Sequence, residues 1–167
     1  MAQEIIVIDN KQEIIDEIKE IFKEEAEYKF KRIMDAQLEY ALRNIPALFV
    51  INADELTENI IDICKKIRND DDNNITPVIV LSSDRNKEHK ISVLNECVEY
   101  YINKPMDKEY LYYTIKNLLR LINTNRRISP LTGLPRKCSN TRRIKETFNE
   151  QGNFLGSIFR FRQLQGL

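Results

Sequence analysis

Ala47-Leu48-Phe49-Val50-Ile51-Asn52 is the stretch that decides the architecture. Five apolar residues in a row, without polar alternation, mark a strand covered on both faces, as strands are in a parallel sheet flanked by helices. The run stops at a polar residue, Asn52. Three further runs have the same form. Ile6-Val7-Ile8 stops at Asp9-Asn10, Pro77-Val78-Ile79-Val80-Leu81 at Ser82, and Tyr101-Ile102 at Asn103-Lys104-Pro105. The carboxyl ends of parallel strands converge on one crevice, where ligands bind. Polar residues at four such ends therefore mark a candidate site.

Outward from these strands the period changes to that of helices. Ile14, Ile15, Ile18, Ile21 and Phe22 predict an amphipathic helix over residues 11–25. Tyr28 to Met34 alternates and reads as a second strand, and Asp35 suits a helix cap. Leu38, Ala41 and Leu42 mark a helix up to Pro46. Further helices are expected over 57–69 (Ile60, Ile61, Ile63, Cys64, Ile67), 86–96 (Ile91, Val93, Leu94) and 108–123 (Leu111, Ile115, Leu118, Leu119, Ile122). Strands are expected at 77–82 and 98–102. Asp70-Asp71-Asp72-Asn73-Asn74 solvates better than it packs and reads as a loop. Five strand-then-helix units in succession predict an α/β fold, with right-handed crossovers and helices on both faces of a five-stranded parallel sheet.

Of 167 residues, 42% are hydrophobic, enough for a core. No run approaches the roughly 20 apolar residues of a membrane span. Met1-Ala2-Gln3-Glu4 leads directly into a strand, without the basic and apolar segments of a signal peptide. Three cysteines, Cys64, Cys97 and Cys138, are odd in number and far apart, which argues against a disulfide framework and fits a reducing cytoplasm. Cys64 and Cys97 are expected as small core residues. The net charge of +0 conceals an asymmetry. Residues 120–167 carry ten basic and two acidic side chains, leaving 16 and 24 in residues 1–119, a balance of +8 against −8.

With these strand ends in this order, residues 4–123 resemble the receiver domain of bacterial two-component response regulators. The resemblance implies a (βα)5 doubly wound, flavodoxin/CheY-like sheet. It places the paired acids of the first strand end at Asp9-Asn10 and the phosphoacceptor at Asn52. It places the Ser or Thr of the fourth strand end at Ser82, the Lys-Pro signature at Lys104-Pro105 and the switch aromatic at Tyr101. The spacing from Asn52 to Cys64 fits the family without a gap.

Two of these matches are substitutions with chemical consequences. In-line attack on a phosphoryl group needs an ionised oxygen nucleophile, and the amide of Asn52 is neutral. Mg²⁺, the cofactor expected for the family, wants oxygen ligands backed by carboxylate charge. Here Asp9 alone keeps that charge, so metal binding is expected to be weak or absent. Lys104, which in the family pairs with the acceptor or the phosphoryl oxygens, is expected to bond Asp9 and the Asn52 oxygen instead. An ordinary Asp9–Lys104 ion pair is the plainer alternative. Ser82 also suits a turn capping the next helix, and Tyr101 suits packing beneath the last helix. Asp54, two residues past Asn52, is the rival acceptor at the crevice mouth. His89 is the only histidine and is expected to be solvated among Lys87, Glu88 and Lys90.

Beyond the last helix, Ile128-Ser129-Pro130-Leu131-Thr132-Gly133-Leu134-Pro135 resembles the opening motif of diguanylate cyclase (GGDEF) domains, with Ser129 at the usual Asp and Arg136-Lys137 at the usual Asn-Arg. One allowed coding of Phe159–Gly166, read one base later, gives Phe-Asp-Leu-Asp-Asn-Phe-Lys, similar to that family's metal-binding strand. Residues 124–167 are therefore expected to be a linker helix and the truncated, frameshifted start of such a domain. They lack the nucleotide-binding loop, and their sparse apolar content cannot close a core. The reading favours a non-catalytic pseudo-receiver that dimerises through the fourth helix, fifth strand and fifth helix, a face expected to include Tyr100, Lys108, Tyr110, Tyr112 and Tyr113. Its resemblance also implies a sensor histidine kinase as a partner. An active phosphoacceptor using Asp54 is the alternative. Nucleic-acid binding through Arg126, Arg127, Arg142 and Arg143 ranks last, without a helix-turn-helix pattern to support it.

Overall fold

The structure is a computed structural model, and it describes residues 2–128. Five parallel strands, β1 (Gln3–Ile8), β2 (Tyr28–Ile33), β3 (Leu48–Asn52), β4 (Val78–Ser82) and β5 (Tyr100–Asn103), form one sheet in the order β2-β1-β3-β4-β5. Strand alternation divides their apolar residues between two cores. Ile6, Ile8, Phe49, Ile51, Val78 and Val80 pack on one face, beneath α3 (Ile60–Asn69) and α4 (Lys87–Asn95). Ile5, Val7, Leu48, Val50, Ile79 and Leu81 pack on the other, beneath α1 (Glu13–Ile21) and α5 (Lys108–Ile128). The expected five-stranded α/β architecture is the observed one.

Element ends differ from expectation for local reasons. Helix α1 stops at Ile21, and Phe22 turns into an aromatic cluster with Tyr28, Phe30 and Tyr112, at ring separations of 5.5, 5.2 and 5.0 Å. The helix expected up to Pro46 is one turn only, α2 (Leu38–Ala41), entered through a 3-10 turn at Asp35–Gln37. Helix α3 starts at Ile60 rather than at residue 57. Thr57 is claimed by Asp35, and Asn59 supplies the cap, its Oδ1 accepting from Ile61 N at 2.8 Å. Asn86 caps α4 in the same way. Within α4 only Val93 is buried, while Ile91 and Leu94, the other apolar markers of its helical pattern, are exposed. Helix α5 runs past the expected residue 123 to Ile128. The GGDEF-like motif and the remaining tail lie outside the described residues.

The acidic loop is more ordered than its composition suggests. Asp70 Oδ1 accepts from Asp72 N, Asn73 N and Asn73 Nδ2, and fully buried Asn73 donates to Leu42 O at 2.8 Å. Cys64 is a core residue, and burial pushes its thiol up to about 12. Cys97 is half-buried at a positive φ of 61°, its carbonyl accepting from the Arg68 guanidinium. Among the described residues no helix is long and apolar enough to cross a membrane.

Candidate functional site

The parallel register sets Ile8 beside Ile51, Asn52 beside Leu81 and Ser82 beside Asn103. Asp9, Asn52, Ser82 and Lys104 therefore converge at the carboxyl end of the sheet, around the point where chain order reverses between β1 and β3. The crevice has an acidic half and a basic half, and Asn52 joins them.

In the acidic half Asp9 is 0% exposed. Its Oδ1 accepts from Lys11 N at 3.1 Å and from Asn52 Nδ2 at 2.9 Å, and its Oδ2 from Ile14 N at 3.2 Å. The buried carboxylate thus sits at the start of α1, where N–H donors and the helix dipole favour negative charge. Asn10 turns away from it. Its amide donates to Asp35 Oδ1 and its oxygen accepts from Asp35 N, both at 3.1 Å. Asp35 also accepts from Thr57 N at 2.6 Å, Thr57 Oγ1 at 2.7 Å and Glu58 N at 3.1 Å. Burial works against ionisation of Asp35, yet the bonds from Thr57, Glu58 and Asn10 outweigh it and hold the carboxyl at about 2. Contrary to the expectation from the sequence, Asp35 does not cap the helix that follows it; its carboxylate instead holds the segment entering α3. Nothing in its sequence context reveals its pairing with Asn10.

In the basic half Lys104 Nζ donates to Asn52 Oδ1 and to Asp54 Oδ2, the latter at 2.9 Å. The expected Lys104–Asp9 contact is not made. The Asn52 amide stands between them, with its NH₂ toward the carboxylate and its oxygen toward the ammonium, the orientation that satisfies both charges. Asp54 closes this half. A 3-10 turn, Ala53–Glu55, swings it over the end of β4. There its Oδ1 accepts from Ser82 Oγ at 3.0 Å and Ser83 N at 2.8 Å, and its Oδ2 from Ser83 N at 3.1 Å and Ser83 Oγ at 2.8 Å. Burial opposes ionisation here too, but Lys104, Ser83 and Ser82 outweigh it and hold the Asp54 carboxyl at about 2. Ser83, adjacent to the expected Ser82, was not legible as a site residue. Ser82 Oγ also accepts from Asp84 N at 3.1 Å, a turn bond, while the cap of α4 is Asn86.

Around this centre, Lys11 bridges to Glu55 across the crevice mouth at 2.8 Å. The Lys104–Pro105 peptide bond is cis. Tyr101 is buried on the α4 side rather than beneath α5, its hydroxyl donating to Asp84 O at 3.3 Å and Lys90 Nζ lying 5.3 Å from its ring centre. His89 pairs with Asp84 at 2.7 Å instead of being free in solvent. The expected tyrosine face divides. Tyr100 and Tyr110 are exposed. Lys108 and Tyr113 are exposed as well and, with half-buried Tyr112, line an open cavity of about 480 Å³ against α1. Within it Tyr112 hydroxyl donates to Glu25, which also pairs with Lys116 at 2.7 Å.

The donor set does not fit a divalent cation. Asp9 is the one carboxylate at the inner crevice and both its oxygens are engaged. Asn10 is committed to Asp35, and the Asn52 oxygen faces an ammonium. Hard cations need several free oxygens with carboxylate charge. Among the described residues no group of three or more His, Cys, Asp or Glu could hold a metal.

No protein-family model matches the sequence, and no curated protein matches it. Solved structures do. The chain is similar to the receiver domain of a Francisella response regulator, at 25% identity over 72% of this chain and 98% of that one, with a TM-score of 0.63. It is similar to a signal receiver domain of a two-component histidine kinase from Clostridium thermocellum, at 20% identity over 72% and 99%, with a TM-score of 0.65. A third neighbour is the receiver domain of a Pseudomonas aeruginosa sensor histidine kinase, at 15% identity over 72% and 99% with a TM-score of 0.62, whose structure holds a magnesium ion in its active-site cleft. The structural neighbours of this chain are thus receiver domains of two-component signalling proteins, and its five-stranded parallel sheet has the receiver fold.

Proposed function

We propose that this chain is a signalling module of the receiver type that transmits by docking rather than by accepting a phosphoryl group. One observation carries the reading: the Asn52 side chain, at the acceptor position of the fold, is hydrogen-bonded on one side to Asp9 and on the other to Lys104. It is neutral and buried, and both its polar atoms are spent, so it supplies no nucleophile. Ile91, Leu94, Tyr100 and Tyr110, exposed on α4, β5 and α5, supply apolar area for pairing two copies or docking a partner. A second copy is the favoured occupant and a histidine kinase the next. The module would sit in the cytoplasm and position a diguanylate cyclase output through the extension of α5. It would perform no catalysis itself.

A second reading makes Asp54 a phosphoacceptor, favoured by its ionised carboxylate at the crevice mouth. Against it, the groups that would receive phosphoryl oxygens are already bonded to Asp54 itself. Intact mass after incubation with a small-molecule phosphodonor and Mg²⁺ separates the readings. The docking account expects no phosphoryl adduct on the native chain, and an adduct that disappears in Asp54→Ala would establish the alternative.

A further inference from the structure

We infer that the basic half of the crevice is an oxyanion-binding cradle whose resident ligand is the chain's own Asp54 carboxylate. Four donors converge on it from two other segments: the hydroxyls of Ser82 and Ser83, the Ser83 N–H and the Lys104 ammonium, all between 2.8 and 3.1 Å. A simple ion pair would need only the lysine. Hydroxyl, backbone N–H and ammonium aimed together at both oxygens of one anion form the donor set that recognises phosphate and sulfate. Ser82 is buried, and the Lys104 and Asp54 side chains are 19% and 23% exposed, so the site is partly withdrawn from water.

The sequence distances show that this cradle is assembled by the fold. Ser82 and Lys104 lie 28 and 50 residues from Asp54, so these contacts are not an incidental turn motif. The tether also matters. A carboxylate held on the adjoining turn competes at an effective concentration of roughly millimolar or above, so free phosphate at lower concentration cannot displace it. The same anion ties the turn after β3 to the β4–α4 loop. That loop, through Asp84 O, also holds Tyr101 and Asn103. Occupation by Asp54 therefore fixes the surroundings of Tyr101 in the anion-filled arrangement.

This inference deepens the docking account and rests on its premise that the crevice takes no exogenous phosphoryl group. The test titrates the full-length chain and its Asp54→Ala variant with inorganic phosphate, followed by calorimetry and by the Ser83 amide resonance. The native chain should show no saturable change at millimolar phosphate. Asp54→Ala should bind phosphate at least about tenfold more tightly, with the Ser83 amide shifting along the same isotherm. Lys104→Met in the Asp54→Ala background should abolish the gain. If Asp54→Ala fails to fold, Asp54→Asn reads the same difference, because it keeps the shape and removes the charge. Equal phosphate affinity in native and variant chains overturns the inference, as does a gain that survives loss of Lys104. Inorganic phosphate transfers no phosphoryl group, so this result is independent of adduct formation by a phosphodonor. An adduct on the native chain would overturn the docking account and with it the cradle's premise, while a silent Asp54→Ala would overturn the cradle alone.

Discussion

The two halves of the crevice solve opposite electrostatic problems with the same device. In the acidic half the charge is buried Asp9, and it is answered by two backbone N–H groups and the Asn52 amide. In the basic half the charge is Lys104, and it is answered by the Asn52 oxygen and Asp54. Both sets of partners are drawn from the chain itself. An aspartate at position 52 could not serve both, since it would satisfy Lys104 while repelling Asp9. A neutral amide has the one dipole that fits between a carboxylate and an ammonium. The comparison teaches that a neutral amide at position 52 closes an internal network between the two charges.

The largest break in this symmetry should come from Asn52→Leu, which strips a partner from both halves at once. A buried carboxylate and a partly buried ammonium each lose a hydrogen bond, and the cost expected in urea unfolding is about 3 kcal/mol. Next is Asn52→Asp, which should lose about 2 kcal/mol in the presence of a chelator, because two carboxylates then meet at hydrogen-bond distance. Unlike the native chain, this variant should regain stability when Mg²⁺ is added.

Asp35→Asn probes the rim of the acidic half and should cost about 1–2 kcal/mol, since Asp35 receives bonds from Thr57 and Glu58 at the entrance to α3. Its pH signature is fixed in sign. A carboxyl held at about 2 in the folded chain, against 3.8 ordinarily, stabilises the fold above about pH 4 and loses that contribution as pH falls toward 2. Asp54 acts in the same direction over the same window. Removing Asp35 should therefore flatten the acid limb of the stability profile without altering stability trends above pH 5. The smallest effect belongs to Lys11→Ala. The Lys11–Glu55 pair lies across the mouth with both side chains accessible, and its loss should leave the unfolding midpoint within error of native.

The architecture was legible because strands buried on both faces leave continuous apolar runs, and the polar stop after each run marked the crevice. Asp9, Asn52, Ser82 and Lys104 were found this way, each the first or second polar residue after its apolar run. Of the partners they chose, the Asn52 oxygen was legible for Lys104 and the others were not. Whether Lys104 reaches Asp9 or Asp54 depends on a 3-10 turn at Ala53–Glu55, which three residues of ordinary sequence do not announce. Asn10 reads as a crevice residue until Asp35, 25 positions on, claims both ends of its amide. The tyrosines of α5 were legible in part. Helical spacing places Tyr112 and Tyr113 on the surface; Tyr113 is exposed there, while Phe22 and Glu25 after α1 draw Tyr112 partly inward, its ring edge-to-face with Tyr113 at 5.2 Å.

The central claim, that the crevice supplies its own counter-charges, is tested most directly on the native full-length chain. Its unfolding midpoint would be followed through separate titrations with Mg²⁺ and with inorganic phosphate, alongside the Asn52 side-chain amide resonance. A ligand that binds the folded state raises the midpoint in proportion to its occupancy. The account predicts that neither ion moves the midpoint or the amide resonance at millimolar concentration. A saturable rise with either ion, accompanied by a shift of the Asn52 amide, would show that the crevice still needs an external charge and would contradict the account.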